Sequence, residues 1–411
     1  MPADSNGGYA NMESPYNNSA YSQSQWLEKQ ESRSKRSKCI VVTSLIALVV
    51  LIAAGVTVGV LLSRKHSSSS SSSPSSSSAA TTVGPSGVVN QTDPNDPSTF
   101  VPDSRLKHSF YGLAYTPAGS QLPECGNSLD QVIEDIQLIS QLTSRIRLYG
   151  ADCNQSALVL EAIERTKVNM SVWLAVYNVP TNATAYSEQR DKIVDAIKTY
   201  GTDHIAGVTV GNEFILDYLS AYGDGTDTPN GPIGNQGAAL LNSNITDMKN
   251  TLANMGVSLQ VGTSDAGSYF NNEVLENVDY GMANVHPWFA NVSIDQAADW
   301  TYNFFQTQDV AVANALPNAP KMYIAETGWP TNSSDAGNES NGPSTASEPN
   351  LQTFLDTFVC QANQNGTDYF FFEFFDETWK LIQFGGVEGY WGLFYANKTL
   401  KDITIPNCEI D

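Results

Sequence analysis

SRIRLYGADCNQSALVLEAIERTKVNMSVWLAVY, residues 144–177, reads as a strand, a helix and a second strand. The outer runs, 144–149 (SRIRLY) and 170–177 (MSVWLAVY), are short and mostly continuous in apolar character. Such runs suit strands buried on both faces of a parallel sheet. Between them, 156–166 carries the period of a helix. Outward from this window the unit recurs. Strand-like runs lie at 109–115 (SFYGLAY), 206–211 (AGVTVG), 257–262 (VSLQVG), 282–289 (MANVHPWF), 321–325 (KMYIA) and 368–375 (DYFFFEFF). Helical spacing is plain at 128–142, where Leu129, Val132, Ile133, Ile136, Ile139 and Leu142 share a face. It recurs at 187–199, 236–254, 293–306 and 349–364, whereas 268–281 is short and only weakly helical. Eight strands alternating with helices predict a (β/α)8 barrel over residues 105–411, with an open doubly wound sheet as the alternative. In either architecture the chemistry belongs at the C-terminal ends of the strands.

The first hundred residues read differently. Residues 40–62 (IVVTSLIALVVLIAAGVTVGVLL) are 23 positions without a charge or a Pro, long enough to span a bilayer. Arg33, Lys35, Arg36 and Lys38 precede them and only Arg64 and Lys65 follow closely, which predicts a cytoplasmic N-terminus. A cleaved signal peptide is the other reading, but its apolar core is shorter and starts nearer the N-terminus. Residues 1–39 then form a cytoplasmic tail, 40–62 a transmembrane signal anchor and 63–104 a Ser/Thr/Pro-rich stalk too polar to fold. The expected location is the plasma membrane, single-pass, with residues 105–411 outside. The C-terminal TIPNCEID lacks an apolar tail, so no glycolipid anchor is expected.

Composition narrows the function. The formal net charge is −22, which argues against a nucleic acid partner, since nothing would replace the counterions of the phosphate backbone. No zinc-ligand spacing and no nucleotide-binding glycine motif is present, so neither a metal nor a cofactor is expected. A monomer is expected. Beyond residue 66, ten Asn-x-Ser/Thr sequons, at Asn90, Asn154, Asn169, Asn182, Asn244, Asn291, Asn332, Asn338, Asn365 and Asn397, suit a glycosylated exterior domain. Cys39 falls at the cytoplasmic membrane edge. Cys125, Cys153, Cys360 and Cys408 are even in number in an oxidising compartment. Sequence does not fix their connectivity; Cys125–Cys153 and Cys360–Cys408 each close a short stretch of chain.

Two strand ends carry carboxylates: Gly211-Asn212-Glu213 after the fourth run and Ala325-Glu326-Thr327-Gly328-Trp329-Pro330 after the seventh. Glycosidic cleavage needs two carboxyl groups flanking one bond, a proton donor and either a nucleophile or a base. Around a barrel the ends of strands four and seven face each other across the mouth. Asn212 offers an amide to a sugar hydroxyl.

Val208-Thr-Val-Gly-Asn-Glu213 and Tyr323-Ile-Ala-Glu-Thr-Gly-Trp-Pro330 resemble glycoside hydrolase family 17, the β-1,3-glucanases of plants and fungi. Tyr111-Gly112, Arg147-Leu-Tyr149 and Asn284-Val-His-Pro-Trp-Phe289 support the likeness, which spans roughly residues 107–408. The anchored layout with a Ser-rich stalk resembles the fungal branch. The resemblance implies a retaining mechanism with Glu213 as acid/base and Glu326 as nucleophile, and β-glucan polysaccharide or oligosaccharide as substrate. It also suggests that Glu373 or a neighbour supports the acid or the sugar.

Aromatics at strand ends suit sugar stacking: Tyr111, Tyr149, Tyr177, Trp288, Phe289, Trp329, Phe375 and Trp379, with Tyr149 and Trp288 ranked highest. Any one of them could instead fill the barrel. His286 can reach the nucleophile region or serve structure. Arg147 points inward if the alternation from Tyr149 holds, where it would pair with a catalytic carboxylate. Asp376 and Glu377-Thr378-Trp379-Lys380 continue the rim of the eighth strand. Three functions remain: a β-1,3-glucan endo-hydrolase in cell-wall remodelling, a β-1,3-glucanosyltransferase using the same intermediate, and a non-catalytic glucan-binding surface protein.

Overall fold

The first barrel strand, β1 (Gly112–Ala114), is followed by α1 (Leu129–Ile139), β2 (Arg145–Arg147), α2 (Gln155–Thr166), β3 (Ser171–Val176) and α3 (Ala185–Tyr200). Next come β4 (Ile205–Asn212), α4 (Phe214–Tyr222), α5 (Pro232–Asn254), β5 (Gln260–Ala266), α6 (Asn272–Leu275) and β6 (Tyr280–Asn284). The remaining elements are α7 (Ile294–Phe304), a π-helical turn (Phe305–Val310), α8 (Ala311–Asn314), β7 (Lys321–Thr327), α9 (Glu348–Gln364), β8 (Tyr369–Phe371) and α10 (Thr378–Phe384). The computed structural model describes residues 82–408 and residue 410. All eight strands pair in parallel, and β8 closes on β1 through Phe370–Gly112 and on β7 through Tyr369–Ile324. The closed (β/α)8 barrel follows, and the open sheet is excluded.

The barrel interior is apolar at its base and polar at its mouth. Trp173, Tyr280, Met282, Tyr323 and Phe370 form one buried cluster, with Tyr111 packed against it from below. Tyr280 lies so close to Gly262 that a Cβ there would sit 2.2 Å from the ring, which is why β5 carries Gly at that register. Above this layer Arg147, Ser264, Asn284 and Glu326 are buried polar residues. That inversion explains the displaced fifth strand. Gly256, at φ +72°, turns the chain after α5, so the strand begins at Gln260 and runs on through buried Thr263, Ser264 and Asp265. Two helices carry no pattern in the sequence: α4 is short and apolar nearly all round, and α10 buries no residue.

Helix α1 has a buried polar face as well as an apolar one, because segments from both ends of the described chain cross it. Glu134 accepts from Ser86 N (2.9 Å) and Ser86 Oγ (2.7 Å). Gln137 Nε2 donates to Pro97 O (2.7 Å), and Gln141 Oε1 accepts from Asp103 N (2.6 Å). Asp135 accepts from Tyr115 OH (2.8 Å) and pairs with Lys398. Residues 84–104, read from sequence as the end of the stalk, are therefore laid along the barrel, and Val89 is buried there. Disulfides join Cys125 to Cys153 and Cys360 to Cys408 as expected, the second fastening the C-terminal segment to α9.

Among the described residues no helix is long and apolar enough to cross a membrane. The tail 1–39, the apolar segment 40–62 and residues 63–81 of the stalk lie outside the described residues. All ten sequon asparagines fall on exposed or half-buried surface.

Candidate active site

Glu213 stands where β4 turns into α4. Gly211 at φ +89° and Glu213 itself at φ +58° make the turn, a left-handed conformation that costs a non-glycine residue about 1–3 kcal/mol. The turn is fixed from both sides: Glu213 N donates to Ser264 O (3.0 Å) and Ile215 N to Asp265 Oδ2 (2.8 Å). Although Glu213 occupies the N-cap position of α4, its carboxylate makes no capping bond. It accepts instead from Asn284 Nδ2 at the end of β6 (3.0 Å).

Glu326, near the end of β7, is buried and engaged on both oxygens. Arg147 Nη1 donates to Oε1 (2.9 Å) and His286 Nε2 donates to Oε2 (3.1 Å). The other arm of Arg147, Nη2, donates to Asn212 Oδ1 (2.6 Å) and Ser264 Oγ (3.1 Å). Its Nη1 also reaches Ala325 O (3.2 Å). One guanidinium thus links β2, β4, β5 and β7, and its carbon lies 4.3 Å from the centre of the Tyr149 ring. His286 is wedged edge-on among Phe289, Phe372 and Trp391.

The two carboxyls are driven apart in acidity. Burial raises Glu213 and the negative charge of Glu326 raises it further, to about 8, against the opposing hydrogen bond from Asn284. Burial pushes Glu326 the same way, but the His286 bond, Arg147 and Lys380 together overcome it and hold the group down to about 2. At neutral pH the site therefore holds one proton, on Glu213.

A second cluster borders this pair. Lys380 Nζ lies 2.6 Å from Glu373 Oε2 and 3.3 Å from Glu377 Oε1, and Trp379 Nε1 donates to Glu377. Burial and the Glu377 charge raise Glu373 well above the usual carboxylate range. Burial opposes the charge on Lys380, but Glu373 and Glu377 outweigh it and raise the ammonium. Glu388, on the following loop, is raised to about 7 by burial, with Lys380 opposing and Glu326 adding. Asp217, one turn along α4 from Glu213, is raised to about 6 by burial.

Asn212, Tyr149, His286 and Arg147 thus gather around the two glutamates, as the sequence reading has them. Tyr177 is 42 % exposed at the mouth, where burial of its hydroxyl and the charges of Asp217, Glu213 and Glu326 raise the phenol. Trp379 sits on the rim, and Glu373 lies behind it, paired to Lys380. Four of the aromatics expected to stack on sugar lie elsewhere. Tyr111 precedes β1 and therefore sits at the barrel base, tilted against Tyr323 and Tyr369. Trp288 and Trp329 are buried against each other, centroids 5.3 Å apart, and Trp329 Nε1 donates to Thr345 O. Trp329 also packs on Phe354 of α9, and its bond to Thr345 ties down the 331–347 loop. Phe375 is likewise buried, against Phe374. Ser264, Glu388 and Asp217 are site residues that sequence reasoning missed; single polar residues in a strand or loop carry no signal before the barrel is closed. Asn284 was visible only as part of the sixth-strand segment.

Residues 112–392 match a family model described as the BtgE/BtgC glycoside hydrolase domain. Over 331 residues the chain is 35% identical to a probable glucan endo-1,3-beta-glucosidase, btgC, of Aspergillus terreus, covering 77% of this chain and 48% of that one. A putative glucan endo-1,3-beta-glucosidase btgC of Aspergillus niger is 36% identical, covering 77% and 46%. The chain therefore spans about half the length of the curated relatives it matches. Among solved structures, a glycoside hydrolase family 17 beta-1,3-glucanosyltransferase from Rhizomucor miehei aligns with a TM-score of 0.58 at 25% identity, covering 73% of this chain and 98% of that one. An active-site mutant of the Rhizomucor protein, in complex with laminaritriose, aligns equally well.

Proposed function

The chain belongs to the BtgE/BtgC glycoside hydrolase family, and on that premise we propose that it is a retaining glycosidase cleaving β-1,3-glucan from within. The observation that carries this reading is two carboxyls placed at the ends of β4 and β7, Glu213 on the Asn284 amide and Glu326 between Arg147 and His286, surroundings that hold Glu213 up to about 8 and Glu326 down to about 2. Glu326, ionised, attacks the anomeric carbon while Glu213 gives its proton to the departing glycosidic oxygen. The bond to the leaving sugar breaks and a glycosyl ester on Glu326 forms. Esterification removes the negative charge that raises Glu213, so Glu213 becomes a stronger acid and stays ionised after giving up its proton. As base, it then takes a proton from water, whose oxygen attacks the anomeric carbon and releases Glu326. Asn284 and Arg147 hold the two carboxyls through both steps, and retention requires them to be about 5–5.5 Å apart.

Transfer is the second reading, favoured by the likeness to the Rhizomucor glucanosyltransferase. A sugar hydroxyl then replaces water in the second step. The non-catalytic reading gains nothing from a pair poised in this way. For location, the 23-residue apolar segment 40–62 and its flanking charges support a single-pass anchor with the barrel outside the plasma membrane, facing the cell wall.

The test is the product set from a long linear β-1,3-glucan oligomer, for the chain and for Glu326→Ala and Glu213→Gln. Shorter oligomers of retained configuration, absent with both variants, are expected. Products longer than the substrate at high oligomer concentration would assign transfer. Full turnover by Glu326→Ala would overturn the site.

A further inference from the structure

A cavity of about 450 Å³, which neither Glu213 nor Glu326 lines, is walled by Asn291, Ser293, Gln296, Asp299, Trp300 and Pro343. Its chemistry is mixed in a particular way. Trp300 is half-buried and stacked on Phe304, centroids 4.9 Å apart, so the indole is backed by a second ring. Around it stand hydroxyl, amide and carboxylate groups: Ser293 Oγ donates to Gln296 Oε1 (3.2 Å), and Asp299 Oδ1 is held by Gln361 Nε2 (2.7 Å). An aromatic plate edged with such groups is the surface a pyranose recognises, C–H face on the ring and hydroxyls to the polar rim.

One wall of this cavity is Asn291, the acceptor of the sequon Asn291-Val292-Ser293. Asn291 is exposed at the tip of a turn, at φ +56°, with its N–H on Trp288 O (3.1 Å). The turn is braced from behind. Asn341 Nδ2 donates to Val292 O (2.9 Å) and Ile294 N to Ser344 Oγ (2.9 Å). A glycan attached there starts from a fixed point on the rim of this cavity, beside the Trp300 ring. We propose that the cavity is a carbohydrate site filled by the first sugars of a glycan on Asn291, with Trp300 as their stacking platform. Attachment makes the encounter intramolecular, at an effective concentration in the millimolar range, and little chain has to be ordered. The glycan covers the Trp300–Phe304 face and pins the β6–α7 turn. The proposal rests on the sequon and the cavity, not on the glycosidase reading.

The full chain made in a glycosylating eukaryotic host tests this by glycopeptide mass spectrometry, with Asn397 as the control sequon. Under native conditions a peptide-N-glycosidase should release the Asn291 glycan about fivefold more slowly than in Trp300→Ala. Gln296→Ala should accelerate release in the same direction. Release at Asn397 should be unchanged in both variants, which separates loss of the platform from general unfolding. An unoccupied Asn291 overturns the proposal, as does equal release with and without Trp300. A Trp300-dependent fluorescence change on adding a β-1,3-glucan oligomer to a chain whose Asn291 carries no sugar would assign the cavity to free glucan instead.

Discussion

Replacing Arg147 by Lys keeps a positive charge at the barrel mouth but removes the fork that binds Glu326 with one arm and Asn212 and Ser264 with the other. The side chain is only 1 % exposed, so water cannot replace the lost bonds. Glu326 stays low, about 2, because three neighbours outweigh its burial, and Arg147 is one of them. Weakening that neighbour lets burial push Glu326 back toward its ordinary 4.5; a full return, about 2.5 pH units, costs the charged carboxylate about 3 kcal/mol. Arg147→Met strands the carboxylate further, and breaking a buried pair from one side costs about 3–5 kcal/mol of fold stability. The assay is kcat/KM on a β-1,3-glucan oligomer from pH 3 to pH 9, beside thermal unfolding of each variant. The acid limb reports the ionisation of Glu326 and the basic limb that of Glu213. In Arg147→Lys the acid limb should move upward by about one pH unit or more while the basic limb moves little. An unmoved acid limb in both variants, with unchanged unfolding, would refute the electrostatic account of this site.

Asp309 is buried in the π-helical turn after α7 and, among the described residues, neither oxygen has a hydrogen-bond partner. Burial raises its folded pKa well above 3.8, so the unfolded chain ionises first as pH rises and folding stability falls across that window. Asp309→Asn should match the parent near pH 3 and exceed it by about 1 kcal/mol or more at neutral pH, measured by urea unfolding; the same difference at both pH values would contradict this. Removing residues 82–104 exposes the pocket of Val89 and strips Glu134 of both Ser86 bonds, so residues 105–411 should unfold about 2–4 kcal/mol more easily than 82–411. Equal denaturation midpoints would show that segment to be an ornament. Tyr177→Ala, at the exposed mouth, should raise KM for the oligomer with unfolding unchanged, whereas buried Trp288→Ala should cost about 3–5 kcal/mol of stability.

Much of the barrel was legible because each strand is buried on both faces and writes a continuous apolar run. The run KMYIA and the run MSVWLAVY both fall inside their observed strands or within a residue of them. The reading failed where the barrel turns polar inside. VSLQVG placed the fifth strand too early, since Thr263, Ser264 and Asp265 look like surface in sequence yet are buried at the mouth. The two glutamates were legible from position alone, each directly after an apolar run. Arg147 followed from alternation along β2. Aromatics gave less: Tyr149 and Tyr177 reach the mouth, while Trp288 and Trp329 pack on each other, and nothing in a list of rings distinguishes the two fates. Likewise Glu134 and Gln137 lie on the buried face of α1 only because residues 84–104 return across it, a contact between segments some forty residues apart.

In the proposed mechanism Glu326 carries the sugar between two chemical steps. This is tested most directly by incubating the protein with a 2-fluoro β-1,3-linked disaccharide fluoride, which forms the ester but hydrolyses it slowly, and mapping the labelled peptide by mass spectrometry. One equivalent of sugar is expected on the peptide containing Glu326 and none in Glu326→Ala, with activity lost in step with labelling. Labelling at another carboxylate, or full inactivation of the protein without any covalent sugar, would contradict it.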